Sequence, residues 1–294
     1  MATQVLVTGG TGFIGSELIK ALLTRGYEVS CLSRSPDKVQ SGVQAFSTIP
    51  KQQNFDVLIN LAGHPIADSR WSNSTKEKIV VSRLSTTQHL INHMEQQSKK
   101  PTVFISGSAI GFYGTERCDN PIDETGDRDG SFSSSLCTQW ENIAQQAVAI
   151  DIRTCLLRTG IVLGHKKGAL KKMLLPFKLG LGGKIGDGQQ WMPWIHIQDV
   201  VNAILFCIDN TDISGPVNLT APQPVTNAEF SQTLAHVLSR PAILPMPAWL
   251  VNLLMGEMGK ELLLSGKKVV PGVLLQKGFE FKYTELETAL GDLC

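Results

Sequence analysis

The chain has 294 residues, 42% of them hydrophobic and 18% charged, with a formal net charge of +1. That length accommodates one large α/β unit with a smaller lobe. Near-neutrality argues against a dedicated binder of nucleic acid or anionic membrane, while leaving room for a local patch. Six scattered cysteines (Cys31, Cys118, Cys137, Cys155, Cys207 and Cys294) show no CxxC pair and no histidine cluster at metal spacing, so neither a disulfide framework nor a metal site is expected.

In chain order, VLV at 5–7 predicts a strand, Gly12 to Leu23 a helix and EVSCLSR at 28–34 a second strand. A strand that begins so early is expected to leave no room for a secretory leader. FDVLINLAG at 55–63 reads as a buried strand. Thr75 to Gln97 has helical spacing, with Ile79, Leu84, Leu90, Ile91 and Met94 on its apolar face. TVFISGSA at 102–109 is the next strand. The Gly-, Asp-, Ser- and Glu-rich stretch from Tyr113 to Ser135 reads as a loop, Ser134 to Ile150 as a helix, and TCLLRTGIVLG at 154–164 as a further strand. Nearly continuous apolar strands between amphipathic helices imply a parallel sheet covered on both faces.

Beyond this core, 180–188 is glycine-rich and irregular, and PWIHIQDV at 193–200 marks a boundary with a second lobe. Residues 216–226 predict a strand and turn, and Asn227 to Leu238 a helix. The tail contains PAWLVNLLMGEMGKELLLSG, helix-like and so apolar that it needs a partner surface. The expected division is 1–165 for the nucleotide-binding core and 166–294 for the remaining core elements, around 193–220, interleaved with a C-terminal substrate lobe. No apolar run reaches the roughly 20 residues that span a bilayer. A soluble protein is expected, of the cytoplasm by default, with an organelle or a removed presequence left open.

TGGTGFIG at 8–15 follows a strand and opens a helix, the context a dinucleotide-binding fingerprint requires. In Gly10-x-Gly12-x-x-Gly15, Gly10 is expected to permit the tight turn, Gly12 the close approach of a pyrophosphate, and Gly15 tight helix packing. Gly9, Thr11, Phe13 and Ile14 complete the loop. At the end of the second strand an NAD site usually carries an acid, which grips the ribose diol. Here stand Ser33 and Arg34, with no carboxylate until Asp37. An arginine can hold a 2′-phosphate by charge-assisted bonds, so NADP(H) is favoured. In NLAG, Asn60 can tie neighbouring strand ends together, while Leu61, Ala62 and Gly63 can pass beneath the nucleotide.

Together with SRW at 69–71, SRLSTT at 82–87, LRTGIVLG at 157–164, LLPFKLGLGGKIGDGQQWMPWIHIQDV at 174–200 and NLTAPQPVTNAEF at 218–230, these motifs resemble the atypical, extended short-chain dehydrogenase/reductases. More narrowly, the chain is similar throughout its length to a nucleoside-diphosphate-sugar epimerase-like family. The resemblance implies an α/β fold: a Rossmann-like parallel sheet with helices on both faces and a small C-terminal substrate lobe. It implies NADP(H), a small-molecule substrate with a nucleotide sugar among the candidates, and a homodimer formed through two helices flanking the sheet. By position, Ser33 and Arg34 match the family's 2′-phosphate grip, Leu61 and Ala62 its strand-end cofactor contacts, and Arg83 and Val162 further cofactor-side positions.

The usual engine of that superfamily is a Tyr-x-x-x-Lys pair with a serine or threonine. The lysine lowers the tyrosine pKa, and the tyrosine relays a proton. Four places after Tyr27, Tyr113 and Tyr283 stand Cys31, Arg117 and Glu287, so no such pair exists. Counting back eight from Glu141, which resembles an acid that follows the tyrosine in relatives, puts Ser133 and Cys137 at the two positions. The remaining candidates for chemistry are Ser108 with Ser106 as its competitor, Tyr113 in the loop with Arg117 nearby, and Cys137 as a thiol. For Tyr113 a loop anchor is the rival reading, and for Cys137 a small core residue. Lys166, Lys167, Lys171 and Lys172 are candidates to meet a diphosphate, or form a solvated face. Trp191, Trp194 and His196 are candidate substrate-side residues of the cleft, with Asp199 orienting that wall. A structural hydrogen-bonding role is the stronger reading for His196. A protein that binds NADP(H) but has lost turnover is the rival to an enzyme.

Overall fold

Along the first strand, β1 (Gln4–Thr8), Val5 and Val7 face one way and Leu6 the other, and all three are fully buried. The period-two alternation of a strand therefore meets apolar partners on both sides, as a parallel sheet between two helical layers requires. The computed structural model describes residues 2–50, 53–165 and 167–294. After β1 come α1 (Phe13–Thr24), β2 (Glu28–Leu32), β3 (Gln44–Phe46), β4 (Val57–Asn60), α2 (Asn73–Gln96) and β5 (Val103–Ala109). Then follow α3 (Phe132–Ala144), β6 (Arg153–Thr159), β7 (Ile161–Leu163), α4 (Gly168–Lys178), β8 (Trp191–Met192), β9 (Trp194–His196) and α5 (Ile197–Asp209). The chain closes with β10 (Gly215–Leu219), β11 (Val225–Thr226), α6 (Asn227–Val237), α7 (Ala248–Met255), α8 (Glu257–Leu262), α9 (Gly272–Gln276) and α10 (Leu286–Leu293).

Seven strands form one sheet in the order β10-β6-β5-β4-β1-β2-β3, every pair parallel. The order reverses at β1, so the C-terminal ends of β1 and β4 open a crevice where ligands bind in such sheets. On one face Val5, Val7, Ile59, Ile105 and Leu157 pack with Leu18, Ile19 and Leu22 of α1 and Val200, Ile204 and Leu205 of α5. On the other, Leu6, Leu58, Phe104 and Leu156 meet Leu90, Ile91 and Met94 of α2 and Ala144 of α3. Each such large side chain contributes about 1.5–3 kcal/mol when fully buried.

The 154–164 run is two strands, not one. Gly160 lies between them, where a Cβ would collide with the Pro193 carbonyl oxygen, and the chain turns out of the main sheet to pair β7 with β9. A second apolar cluster gathers there, with Phe177, Trp194, Phe230, Leu234 and Leu290. Three further departures from the sequence reading are local. The edge strand β3 lies in a polar stretch, the helix expected to Ile150 becomes a 3-10 turn after Ala144, and the apolar tail helix breaks at Gly256.

Candidate functional site

The glycine turn is held by contacts that exclude side chains. Gly9 has φ +71°, a conformation that favours glycine, and a Cβ there would stand 2.5 Å from the Leu61 carbonyl oxygen. The Gly12 amide donates to the Gly9 carbonyl at 2.9 Å, and a Cβ on Gly15 would run into that same carbonyl. The tight turn therefore belongs to Gly9. Gly10, expected in that role, instead lies under Cys31 Sγ and Ile19 Cδ1, each 2.6 Å from where its Cβ would be. α1 starts at Gly12 with no side-chain cap and no acid in its first turn. By contrast, Ser72, Ser131, His196 and Thr226 cap α2, α3, α5 and α6. First-turn amides that no side chain satisfies are an anion site with its partial positive charge uncompensated.

Around this turn the structure gathers most of the expected cofactor residues. Thr11 is exposed at its tip and Ile14 packs against the sheet core. The Phe13 ring fills the space over Gly164 and Gly168, and the Val162 carbonyl adjoins Gly168. Below it, Thr8 Oγ1 donates to Asn60 Oδ1 at 2.6 Å, Asn60 Nδ2 to Thr87 Oγ1 at 2.8 Å, and Trp140 Nε1 to the same hydroxyl at 2.8 Å. Asn60 thus ties β1 to β4 as expected and extends the tie to α2 and α3. The Ala62 amide donates to Thr8 Oγ1 at 3.2 Å. At the end of β2, the Ser33 hydroxyl accepts from the Ser35 amide, and Arg34 is exposed with no ion-pair partner among the described residues.

Arg83 lies against Gly63, its guanidinium carbon 2.9 Å from where a Cβ would be. Its Nη1 donates to the carbonyls of His64 at 3.0 Å and Ile79 at 3.1 Å, and the guanidinium stacks 5.3 Å from the Trp140 ring. Burial works against its charge, yet guanidinium remains protonated in proteins, and among the described residues it has no acidic partner. Cys137, which the resemblance would set at the lysine position, lies within electrostatic reach of it. Burial, reinforced by the Glu141 carboxylate, pushes that thiol up to about 11, so Cys137 is a neutral thiol and no ready nucleophile.

The other catalytic candidates are engaged elsewhere. Tyr113 is fully buried. Its hydroxyl donates to Asn218 Oδ1 at 2.7 Å and accepts from Arg158 Nη1 at 3.0 Å, and burial pushes its pKa up to about 12. It is held as a loop anchor in this structure. Ser108 donates to Glu141 Oε1 at 2.6 Å, and both Glu141 oxygens accept from Arg158 Nε and Nη2 at 2.9 Å. Ser106 is buried with only a 3.4 Å contact to the Gly107 carbonyl. Glu124 completes the network, accepting from the Asn218 amide at 2.8 Å and the Val273 amide at 3.1 Å. Ser133 is covered from the C-terminal segment: its hydroxyl donates to Glu261 Oε2 at 2.6 Å.

Two residues expected on the substrate side are packed inside the protein. Trp194 is fully buried, its indole donating to the Gln223 carbonyl at 3.1 Å. His196 caps α5, its Nδ1 accepting from the Gln198 amide at 3.1 Å, and it stacks on Tyr283 with ring centroids 3.9 Å apart. Its Nε2 lies 3.3 Å from Asp292 without hydrogen-bond alignment. Asp199 accepts from the amides of Lys282 and Tyr283, so this wall fastens the C-terminal segment. Trp191 is half-buried, donating to Asp119 at 2.9 Å. Lys171 and Lys172 are exposed, Lys172 pairing with Asp68 at 2.9 Å, and Lys166 lies outside the described residues. Among the described residues no group of three or more His, Cys, Asp and Glu side chains is arranged to hold a metal ion.

The sequence reading missed Arg158, Asn218, Glu124 and Glu261. A signal existed for Arg158: a charged residue inside the apolar strand LLRTG has to be paired if it is buried. Nothing local marks Glu261, whose partner is 128 residues away.

A parallel sheet reversing at a glycine turn, with an uncapped helix aimed at the crevice, defines a dinucleotide-binding α/β protein. The sequence model of the NAD dependent epimerase/dehydratase family matches residues 5–219, and the chain belongs to that family. Residues 246–293 match a domain of unknown function, DUF1731. The chain is 39% identical over 298 residues to the epimerase family protein YfhF of Bacillus subtilis, covering 99% of this chain and 97% of that one. Its structure is similar to that of the human epimerase family protein SDR39U1 with NADPH, at TM-score 0.90 and 36% identity over 98% of each chain. It is also similar to a nucleoside-diphosphate sugar epimerase from Corynebacterium glutamicum, at TM-score 0.78 and 29% identity, covering all of this chain and 58% of that one.

Proposed function

We propose that the protein binds NADP(H) and acts as an oxidoreductase or epimerase-like enzyme on a small carbonyl or hydroxyl compound, a nucleotide sugar among the candidates. One observation carries the cofactor: α1 begins uncapped in a glycine turn with no room for a Cβ, where α2, α3 and α5 carry side-chain caps, while Arg34 at the next strand end has no ion-pair partner among the described residues. The first-turn amides of α1 would hold the pyrophosphate. Ser33 and Arg34 would hold the 2′-phosphate, and the Leu61–Gly63 backbone would support the nucleotide. Arg83 would supply, from α2, the cation that Cys137 does not. When bound, NADP(H) would supply hydride chemistry. A human relative crystallised with NADPH supports the choice of cofactor.

The test is a titration with NADPH and NADH, followed by nicotinamide fluorescence, on wild type and Arg34→Ala. Tighter NADPH binding, weakened by Arg34→Ala about 10–100-fold with NADH little changed, is the expected result for a lost charge-assisted contact. Equal affinity for the two, or binding of neither, would sink the reading.

A second reading, an NADP(H)-binding regulatory or sensor protein without turnover, is favoured by one specific observation. Ser108, Tyr113 and Cys137 are all buried, the first two hydrogen-bonded to protein groups and the third held neutral. A protein that binds NADPH tightly and oxidises it with no member of a carbonyl and nucleotide-sugar panel would belong to that class.

A further inference from the structure

We propose that an exposed apolar and cationic face formed by the end of α4, the paired segments 181–186 and 243–246, and α7 docks on an anionic lipid surface. The pieces are continuous. The Leu244 amide donates to the Gly182 carbonyl at 3.1 Å, the Met246 amide to the Lys184 carbonyl at 2.9 Å, and the Gly186 amide to the Met246 carbonyl at 2.9 Å. Arg240 Nε donates to the Lys178 carbonyl at 3.1 Å, which binds the end of α4 to the same unit. Ala248, at the start of α7, lies within 3.8 Å of where a Gly186 Cβ would be.

The side chains on this face are turned the wrong way for water. A surface helix normally hides its apolar stripe and exposes polar residues. In α7 only Val251 is buried, while Trp249 and Leu253, one turn apart, are 66% and 64% exposed. In the linked segments Ile243 is 74% exposed, and Leu175 and Leu179 of α4 and its end are 66% and 64% exposed. Apolar surface exposed across linked segments in this way is left open where something covers it. This is the tail segment whose composition calls for a partner, and nothing in the cofactor site uses it.

Charge selects the partner. Between His165 and Asp187 the sequence has six lysines and no acid, and between Phe230 and Glu257 it has Arg240 and no acid. Lys167, Lys171, Lys178, Lys184 and Arg240 are exposed, and none has a carboxylate partner among the described residues. Outside these two stretches twenty lysines and arginines face 26 acids, so the near-neutral total conceals a cationic face on an otherwise acidic molecule. An isologous dimer through this face would set its cationic rim against itself. An anionic bilayer satisfies both parts. Leucine and isoleucine enter the acyl boundary, the Trp249 ring sits at the headgroups, and the lysine and arginine heads meet lipid phosphates. No helix among the described residues is long and apolar enough to cross a membrane, so the contact is one of surface association.

The test is flotation of the full chain with vesicles of phosphatidylcholine alone and of three parts phosphatidylcholine to one part phosphatidylglycerol, at low and high salt. Beads coated with polyglutamate and sedimentation of the lipid-free protein run alongside. Binding to the phosphatidylglycerol vesicles is expected, falling in high salt and in their neutral counterparts. It should weaken at least roughly tenfold in Lys178→Glu/Lys184→Glu and in Trp249→Ser/Leu253→Ser. All four positions are exposed, and an NADPH titration of each variant checks that the core is intact. Vesicle binding that survives both pairs of substitutions overturns the proposal. So does its absence, whether with a dimer that Trp249→Ser/Leu253→Ser dissociates, with retention on polyglutamate alone, or with neither.

Discussion

Ser133 and Glu261, 128 residues apart, are joined by a 2.6 Å hydrogen bond from the serine hydroxyl to the carboxylate. The same carboxylate accepts the Phe132 and Ser133 amides at 3.1 and 3.0 Å, so α8 supplies a negative charge to the first turn of α3. Glu261→Ala should therefore cost about 1–2 kcal/mol in urea unfolding, the value of a lost helix cap assisted by the helix dipole. Glu261→Gln, which keeps an acceptor without the charge, should fall between. Identical curves for all three proteins would show that the contact contributes nothing.

The buried pair of Arg158 and Glu141 should behave asymmetrically. Arg158→Met leaves the buried Glu141 carboxylate with the Ser108 hydroxyl but without its counter-ion and should destabilise the fold by about 3–5 kcal/mol. Adding Glu141→Gln removes the orphaned charge and should recover much of that loss. A double variant no more stable than the single one would refute this account.

Arg83 and Arg34 should separate the two ends of the cofactor. Arg83→Gln is expected to weaken NADPH about tenfold, yet leave the adenosine bisphosphate half-molecule, which lacks nicotinamide, unaffected. Arg34→Ala should weaken both. Isothermal titration of the two ligands decides, and equal losses in Arg83→Gln would remove it from the nicotinamide end.

Stability should fall as pH drops through 6.5. Burial pulls the His196 imidazole below that value, with Asp292 opposing, and burial shifts His93 the same way. The unfolded chain takes up these protons first, so the stabilisation is complete above 6.5 and is lost as pH falls toward the lowered native values. The buried carboxylates Asp199 and Glu124 are shifted upward and bias the profile oppositely, so the readout is a difference between proteins. His196→Asn, which keeps an N-cap acceptor, should flatten the decline in melting temperature between about pH 7 and pH 5. An unchanged slope would exclude His196 as its source.

The sheet is legible in the sequence because strands buried on both faces leave unbroken apolar runs such as VLV and VLIN. The glycine turn is legible because backbone crowding admits few alternatives, although which glycine takes the left-handed conformation depends on the Leu61 carbonyl, 52 residues away from Gly9. Asn60 was readable as a tie because it ends a strand beside Thr8. Tyr113, Trp194 and His196 were not placeable. A polar or aromatic residue near a motif reads the same whether it faces a cleft or a hydrogen-bond partner in the core, and only tertiary partners such as Asn218, Gln223 and Tyr283 distinguish the two. β3 escaped because a three-residue edge strand needs no apolar face of its own.

The Asp199 carboxylate has a consequence for synthesis. Its two amide donors belong to Lys282 and Tyr283, the nearer of them 83 residues downstream. At ribosomal speeds of about 5–20 residues per second, the partners emerge roughly 4–17 seconds after it does. Until they do, seating α5 against the sheet buries the Asp199 carboxyl without its two donors, a cost that disfavours closure of the nascent chain before its last turns exist.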